Sequence, residues 1–455
     1  MENQKKLLLH LGAILLAAAA CRLVPLAVLG PQPEPDTGAY LQVAATLAET
    51  GAFSEADPVT GQLAPYAYRM PGFHFMLAGL LKAFGPDAAW PLALANQALS
   101  VGTVLLAALF FYLLAGPGPA LAAGWLAALN PNAAFNSVLL LNDSLFAFLS
   151  MLMLLAGLQA LKRPSGPRFF TWGLAIGLCC LVRPILKFYW VVPLLLVFLP
   201  SFQASLARRA RLAALAALGV AVLLGPWALR NRSQVGFLGL ELNQGVNTLL
   251  TTSDLVRPST PQDYAADPVQ AKVRDLMAAS PGALEGEYAI RRELKLPMPE
   301  ISSRLTRLGV ETMLREPGKA GLRALRNLAN IVTSPNSVME LAGRLGGGGP
   351  RHFPGAREAL RSGAWPAAAL NIGVRLALAV IFLVLAPLGL LALWREAGQA
   401  GKPGLLLALS LILYTLLLTS LVTGYDRYRL PLDPLLLGLA AAAFPLVRRR
   451  PRPNR

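Results

Sequence analysis

Two acidic residues follow directly after the first long apolar run of the sequence. They are Glu34 and Asp36, and prolines at positions 33 and 35 flank Glu34. Proline fixes its own φ and restricts the residue before it, so the two carboxylates lie on a stiff, extended backbone. Two carboxylates in fixed positions can bind a divalent cation, or one of them can act as a general base. Solvated acids of an ordinary loop would show the same spacing, and that interpretation stays open.

Basic residues stand at the ends of several apolar runs. Interfacial anchors that snorkel to lipid headgroups would explain each of them individually, but they explain the whole set less well. Counting membrane crossings from the Lys and Arg clusters that mark the cytoplasmic side places six of these residues on the same side of a membrane as Glu34 and Asp36. These are Arg69, Arg183, Lys187, Arg230, Arg427 and Arg429.

The segments that must position these residues are strongly apolar. Of the 455 residues, 55% are hydrophobic and 14% are charged, compared with about 25% charged in a soluble domain. Uncharged runs begin at residues 7–21. The composition therefore predicts a multi-span membrane protein. It excludes a cytosolic enzyme or a disordered chain, and it argues against a nucleic-acid binder although the net charge is +17.

Clusters of Lys and Arg predict the orientation of the chain. They occur at residues 5–6, 162–168, 208–211 and 448–455. Such clusters favour the cytoplasmic side, so both termini are predicted there. The remaining segments give about twelve crossings, with residues 30–70 and 230–364 outside the membrane.

Three regions are predicted. Residues 1–229 form an N-terminal transmembrane module that includes the external loop 30–70, with a helical stretch near residues 40–50. Residues 230–364 form a small, mainly helical external domain, in which Ile301, Leu305, Leu308 and Met313 recur at helical spacing. A glycine tract at 346–349 is expected to be a linker or mobile loop. Residues 365–455 supply the last transmembrane helices and a basic cytoplasmic tail.

Two pairs of apolar runs are too short to span a bilayer. The runs 120–129 and 133–141 are separated by Asn130-Pro131-Asn132, and the runs 169–182 and 185–199 break at Arg183-Pro184. At 1.5 Å per residue, none of them reaches about 30 Å. We expect paired helices that leave a groove reaching into the bilayer; closely packed full-length helices would contradict this.

The order of several short motifs resembles that of the GT-C glycosyltransferases that use polyprenyl-phosphate donors, such as protein O-mannosyltransferases and lipid A aminoarabinose transferases. The first loop carries E-x-D, then D-x-x-x-Y, then R-x-P-G-F at the start of the next helix. Later segments that are similar to the family are Leu141 to Phe146, Arg183-Pro184, Pro226-Trp227 with Arg230-Asn231, Gly245-Val246-Asn247, Arg427-Tyr428 and Pro431 to Pro434.

The resemblance implies an all-α polytopic membrane protein and an enzyme of the bacterial plasma membrane with its active site facing the periplasm. It would transfer a sugar from a polyprenyl-phosphate donor to an acceptor hydroxyl or phosphate, with inversion. The acceptor stays open between a protein, lipid A (lipopolysaccharide modification) and another glycan. A divalent ion (Mg, Mn or Zn) is a possible cofactor, and no nucleic acid is expected.

The resemblance also assigns roles. Asp36 is the expected general base, and the six basic residues are expected to bind the donor phosphate, whose developing charge fixed cations stabilise. Glu34 and Asp143 are candidates for a metal ligand or second acid. Asp143 could equally orient an Arg, or cap the helix that begins at Ser144. Substrate-binding candidates are Tyr40, Tyr68 and Asn247.

A transporter or flippase for a lipid-linked sugar is the competing hypothesis. It would be expected to carry charges near the bilayer midplane and internal repeats. The sequence instead places its charges at helix ends and shows no repeat.

Overall fold

A computed structural model describes residues 2–56, 61–200, 202, 204–345, 356–398 and 401–448. The glycine tract at 346–349 and the basic tail after Arg448 lie outside these ranges. The described chain is almost entirely helical, with one two-stranded hairpin.

The first half of the chain contains the helices that precede, form and follow the loop of residues 30–70. They are α1 (Glu2–Leu29), α2 (Thr37–Thr50), α3 (Pro71–Phe84), α4 (Ala89–Ala115), α5 (Pro117–Ala128), α6 (Pro131–Val138), α7 (Asp143–Lys162), α8 (Gly166–Val182), α9 (Val191–Val197) and α10 (Leu206–Val235). The antiparallel strands β1 (Ser54–Ala56) and β2 (Leu63–Pro65) form a hairpin in this loop, with Glu55 opposite Ala64.

The second half begins with short helices and ends with apolar ones. They are α11 (Gln244–Leu249), α12 (Pro261–Ala266), α13 (Pro268–Ala278), α14 (Ala283–Leu294), α15 (Met298–Arg315), α16 (Pro317–Thr333), α17 (Asn336–Leu345), α18 (Ala356–Arg361), α19 (Trp365–Ala379), α20 (Ala386–Glu396), α21 (Lys402–Ser420), α22 (Asp433–Ala442) and α23 (Pro445–Arg448). A π-helical segment, Val380–Leu385, joins α19 to α20, and Asp426–Arg429 forms a 3₁₀ turn before α22.

Six of the described helices are long and apolar enough to cross a membrane. They are Lys5–Leu29, Ala89–Ala115, Asp143–Lys162, Leu206–Val235, Trp365–Glu396 and Lys402–Ser420. Shorter apolar helices lie between them, at Gly166–Val182, Pro184–Val197 and Asp433–Ala442. The all-α polytopic architecture expected from the sequence is confirmed.

The two short pairs break where the sequence predicts. Helix α5 ends at Ala128 and α6 begins at Pro131, because Asn130 caps α6 by accepting a hydrogen bond from the backbone N–H of Asn132 (3.0 Å). Helix α8 ends at Val182, where Arg183 is extended before Pro184. Proline disfavours a helical conformation in the residue before it, which explains the second break.

Small residues let the apolar helices approach closely. A Cβ on Gly173 of α8 would lie 2.0 Å from the carbonyl oxygen of Ala216 in α10, and a Cβ on Gly219 would lie 2.3 Å from that of Phe170. Backbones in such contact gain dispersion energy and leave no room for a side chain. The pair α8–α10 is therefore a rigid support for Arg183, which follows α8.

A separate small core lies within residues 246–308. Val246 and Leu249 of α11 pack with Ile301, Leu305 and Leu308 of α15, all of them buried. This confirms the helical periodicity seen in the sequence of α15, except that Met313 lines a cavity instead of entering the core. Helix α10 continues to Val235, so the expected boundary at residue 230 falls inside a helix.

Candidate active site

Asp36 stands immediately before α2 and faces two arginines. Its side chain does not cap the helix. One carboxylate oxygen accepts a hydrogen bond from Nη2 of Arg69 at 2.8 Å, and the other lies 4.0 Å from Nη2 of Arg427. The Arg69 guanidinium also lies over the ring of Tyr40, 4.7 Å from its centroid. The Asp36 side chain stays 43% exposed, so it remains accessible to a substrate.

Local packing brings Arg69 to this position. Helix α3 begins at Pro71, which supplies the fixed φ of a first helical turn. A Cβ on Gly72 would lie 2.7 Å from the carbonyl oxygen of Leu181, at the end of α8. The start of α3 and the end of α8 are thus in direct contact, which holds Arg69 and Arg183 at the same edge of the bundle.

Asp143 and Arg183 form a second ion pair. Nη2 of Arg183 lies 2.5 Å from a carboxylate oxygen of Asp143, and the amide oxygen of Asn142 accepts from Nε and Nη2 of the same guanidinium at 3.1 and 3.0 Å. The guanidinium lies over the ring of Tyr428 at 5.0 Å. Of the roles considered for Asp143, the structure shows that of orienting an arginine.

These groups line one cavity of about 430 Å³. Its polar wall contains Asp36, Tyr40, Arg69, Asn142, Asp143, Arg183, Lys187, Glu241, Asn247 and Arg427. Its apolar wall contains Ile185, Phe188, Leu418, Leu421 and Val422. The cavity therefore suits an amphiphile with an anionic head.

Several polar atoms at this cavity are buried without a hydrogen-bond partner among the described residues. They are Nη1 of Arg69, Nε of Arg427 and Oδ2 of Asp143. Buried polar groups are nearly always paired in folded proteins, so unpaired ones at a cavity indicate where a ligand binds. Two of these three atoms are hydrogen-bond donors, and an anion binds preferentially to donors.

Arg230 and Arg429 were expected at the donor phosphate, and the structure does not bring them there. Arg230 donates to the carbonyl oxygens of Tyr66 (2.6 Å) and Phe53 (2.7 Å). Arg429 is 1% exposed and donates to Asp433 at 2.7 Å and to two carbonyls of α16. Because protein oxygens already bind both guanidiniums, these residues hold structure together and lie outside the cavity lining.

Glu34 and Tyr68 also lie outside the cavity lining. The Glu34 carboxylate faces Arg344 of α17 at 3.7 Å, and its backbone N–H donates to Thr37. Burial raises the pKa of the Glu34 carboxyl, with a further contribution from Glu340. The Tyr68 hydroxyl donates to Glu287 of α14 at 2.7 Å. The two carboxylates of the E-x-D motif therefore point to different partners.

Glu241 is a cavity residue that the motifs did not indicate. It is 8% exposed, and burial raises the pKa of its carboxyl to about 7, although Lys187 and Arg69 lower it. A signal exists in the sequence, since Glu241 is the only acidic residue between Arg232 and Asp254. The Lys187 ammonium donates to the side-chain oxygen of Gln244 at 2.6 Å.

The described residues do not fit a dedicated divalent-metal site. No group of three or more His, Cys, Asp or Glu side chains among them is placed to hold an ion. Guanidinium groups already occupy Asp36 and one oxygen of Asp143, and Glu34 points elsewhere. Hard divalent cations require several oxygen ligands, and four cations line the same cavity as its three carboxylates, Asp36, Asp143 and Glu241.

The arrangement of the helices matches that of known membrane enzymes. The oligosaccharyltransferase AglB of Archaeoglobus fulgidus, in complex with an inhibitory peptide and a dolichol-phosphate, superposes over 97% of this chain with a TM-score of 0.53 and 15% identity. The apo form of the oligosaccharyltransferase from the same organism superposes over 96%, with a TM-score of 0.51 and 14% identity. AglB is a GT-C glycosyltransferase. This chain has the GT-C fold.

The chain spans about half the length of the archaeal GT-C proteins, since each match covers 50% of that chain. ArnT from Cupriavidus metallidurans, bound to undecaprenyl phosphate, matches over 94% of this chain and 77% of its own, with 18% identity and a TM-score of 0.41. No family model matches the sequence, and no curated protein matches it.

Proposed function

We propose that this protein is an integral membrane glycosyltransferase. It transfers a sugar from a polyprenyl-phosphate-linked donor to an acceptor hydroxyl or phosphate, with inversion at the anomeric carbon. The observation that carries the proposal is the accessible carboxylate of Asp36, held beside Arg69 and Arg427 at a cavity that both charged and apolar side chains line.

The charged wall is suited to the leaving group. When the glycosidic bond breaks, its electron pair stays on the donor phosphate, which becomes more negative. Arg69, Arg427, Arg183 and Lys187 are the cations at the cavity, and the unpaired Nη1 of Arg69 and Nε of Arg427 can donate to phosphate oxygens. Fixed donors of this kind stabilise charge that develops in the transition state.

The apolar wall is suited to the first isoprene units of the donor. Leu418 is on α21, with Leu421 and Val422 just beyond it, and Phe188 follows the break after α8. A prenyl chain lying along these side chains would leave its phosphate at the arginines. AglB, which shares the fold, was solved with a dolichol-phosphate, and this supports a lipid phosphate as the head that the cavity binds.

Asp36 supplies the proton acceptor. Its carboxylate takes the proton of the acceptor hydroxyl while the hydroxyl oxygen bonds to the anomeric carbon, opposite the departing phosphate. A phosphate acceptor is already ionised and needs no base. Arg69 binds one carboxylate oxygen of Asp36, and the other oxygen faces Arg427. This second oxygen is the one that meets the incoming acceptor.

We place the enzyme in a bacterial plasma membrane with the cavity on the periplasmic side and both termini in the cytoplasm. The three regions 1–229, 230–364 and 365–455 are proposed as functional units, and the cavity takes residues from each. The clusters of Lys and Arg support this orientation.

A reconstituted transfer assay tests the proposal. Wild type and Asp36→Asn are supplied with radiolabelled polyprenyl-phosphate sugars and with protein, lipid A and glycan acceptors. We expect transfer by the wild type and, for hydroxyl acceptors, a loss of at least about 100-fold in Asp36→Asn. Asp87→Asn, which neutralises an exposed carboxylate between α3 and α4, is the matched control and should retain full activity.

Other outcomes would decide against the proposal. Full transfer by Asp36→Asn to a hydroxyl acceptor removes the assignment of the base. Movement of the labelled lipid across the bilayer, without transfer to any acceptor, identifies a flippase. The same assay with EDTA tests the divalent ion, and full activity after chelation would show that the enzyme needs none.

A further inference from the structure

One wall of the cavity is formed by residues 241–248, which follow α10 and include most of α11. Two backbone hydrogen bonds attach it to the loop that carries Arg69: Leu242 N–H donates to the carbonyl of Ala67 (2.9 Å), and Asn243 N–H donates to that of Tyr68 (3.1 Å). The wall and Arg69 are thus held in a fixed relation, and Glu241 lies beside Arg69 at the cavity.

The short helix α11 turns its polar face to the cavity. Gly245 and Val246 face α15, where a Cβ on Gly245 would lie 2.6 Å from the carbonyl oxygen of Ser302. Residues three and four apart share a helix face, so Gln244 and Asn247 lie together and line the cavity, and Thr248, which also packs against Gly309 of α15, lines it at the edge of that face.

Three side chains of this wall make no hydrogen bond to another described residue, although Lys187 and Arg69 act on Glu241 by their charge. Within the described part of the chain, no hydrogen bond involves the carboxylate of Glu241 or the amides of Asn243 and Asn247, although all three line the cavity. The polar atoms of these three side chains are therefore open to the cavity. A ligand that brings hydroxyl groups would satisfy the carboxylate and both amides, which accept and donate hydrogen bonds.

We propose that Glu241 is a substrate-binding residue of this cavity, and that it holds a sugar ring together with Asn243 and Asn247. The carboxylate accepts hydrogen bonds from ring hydroxyl groups, and the two amides bond to neighbouring ring oxygens. The inference deepens the glycosyl transfer proposed above, and it depends on it only for the source of the ring. That ring belongs either to the donor or to a glycan acceptor.

A binding comparison tests the inference without requiring transfer. Binding of polyprenyl-phosphate glucose and of sugar-free polyprenyl phosphate is measured on the full-length protein in lipid nanodiscs, for wild type, Glu241→Gln and Glu241→Asp. We expect Glu241→Gln to weaken the binding of the sugar-bearing lipid about tenfold, because a charge-assisted hydrogen bond is lost. Its affinity for the sugar-free lipid should stay unchanged, and Glu241→Asp should recover part of the loss.

Glu300→Gln is the matched control. Glu300 is on α15, which supports α11 from the other side, and it pairs with Arg304 away from the cavity. It should bind both lipids as the wild type does. Thermal unfolding of each variant, compared with the wild type, shows whether a loss of binding arises from misfolding.

The remaining outcomes separate the two sources of the ring. If Glu241→Gln leaves both lipids unaffected but raises the KM of a glycan acceptor, the acceptor supplies the ring. If Glu241→Gln changes the affinity for both lipids equally, Glu241 acts on the phosphate and the inference is wrong. No effect on either lipid or on any acceptor also overturns it. A wild type that binds the sugar through Glu241 but never transfers it would overturn the proposed function alone.

Discussion

At the scale of single residues, the partner of a side chain decides its role. Arg69 and Arg429 belong to the same residue type and both stand at the end of an apolar run. Arg69 keeps an unpaired nitrogen at the cavity, whereas Arg429 donates to Asp433 and to two carbonyls. Residue type and spacing predict both arginines as phosphate ligands. The sequence does not show which protein oxygens each guanidinium contacts, so it cannot distinguish the two.

Removal of Arg427 should lower activity without unfolding the protein. Arg427→Gln removes a cation from the phosphate side of the cavity, so we expect transfer to fall by about 100-fold, corresponding to one lost transition-state contact. The melting temperature should change little, since the guanidinium lies 4.0 Å from Asp36 and is 26% exposed. Arg257→Gln on the surface of the external domain is the control. Equal activity of the two variants would contradict the assignment.

Removal of Arg429 should act on stability instead. Arg429→Ala leaves the carboxylate of Asp433, 1% exposed, without its partner, and breaking a buried pair costs about 3–5 kcal/mol. Thermal unfolding in detergent should show a large decrease in melting temperature. Asn130 and Asn132 donate to the other oxygen of Asp433, so the double variant Arg429→Met with Asp433→Asn should recover part of the loss. A stable but inactive Arg429→Ala would return this residue to the phosphate site.

The pH dependence of the KM for the sugar-bearing substrate should reveal the ionisation of the Glu241 carboxyl. Lys187, Arg69 and Tyr66 face this carboxyl, and burial raises its pKa to about 7. It therefore gains its charge as the pH rises through that value, and a charged acceptor binds hydroxyl groups more strongly. The KM of the sugar-bearing substrate should fall between about pH 6 and about pH 8. In Glu241→Gln this step should be absent, and its persistence would assign the titration to another group.

At the scale of elements, helix breaks set the positions of the charges. The sequence predicts the breaks at Asn130-Pro131 and Arg183-Pro184, because proline and the residue before it have few allowed conformations. It also predicts α2 and α15 from their periodicity. It does not predict the hairpin of β1 and β2, since three-residue strands carry too short a pattern. It also does not show that α10 continues past residue 230.

The contact of α8 with α10 should be sensitive to a single methyl group. Gly173→Ala would place a Cβ 2.0 Å from a carbonyl oxygen of α10, so the helices must separate, at a cost of about 1–3 kcal/mol. Activity should fall as well, because Arg183 follows α8. Gly79→Ala in α3 meets nothing within 4 Å and should be neutral or slightly stabilising. Equal melting temperatures of the two variants would disprove the close contact.

At the scale of the whole molecule, the cavity collects residues that are far apart in the chain. Asp36, Asp143, Glu241 and Arg427 come from four separate segments. Local patterns indicate that each segment is important, and the order of the motifs indicates the fold. The pairing of Asp36 with Arg69, and the inclusion of Glu241, depend on how the helices pack, which no local pattern encodes.

The proposed orientation of the whole molecule rests on the distribution of its Lys and Arg clusters, and a direct labelling experiment tests it. Ala207 lies in the basic start of α10 and Ala279 directly follows α13, and both are exposed. Each is replaced by cysteine in a chain whose Cys21, Cys179 and Cys180 are alanine. A membrane-impermeant maleimide on intact spheroplasts should label Ala279→Cys at once and Ala207→Cys only after permeabilisation, because clustered arginines stay in the cytoplasm. The opposite pattern would place Asp36 and its arginines on the cytoplasmic face, where the acceptor would have to be a cytoplasmic molecule.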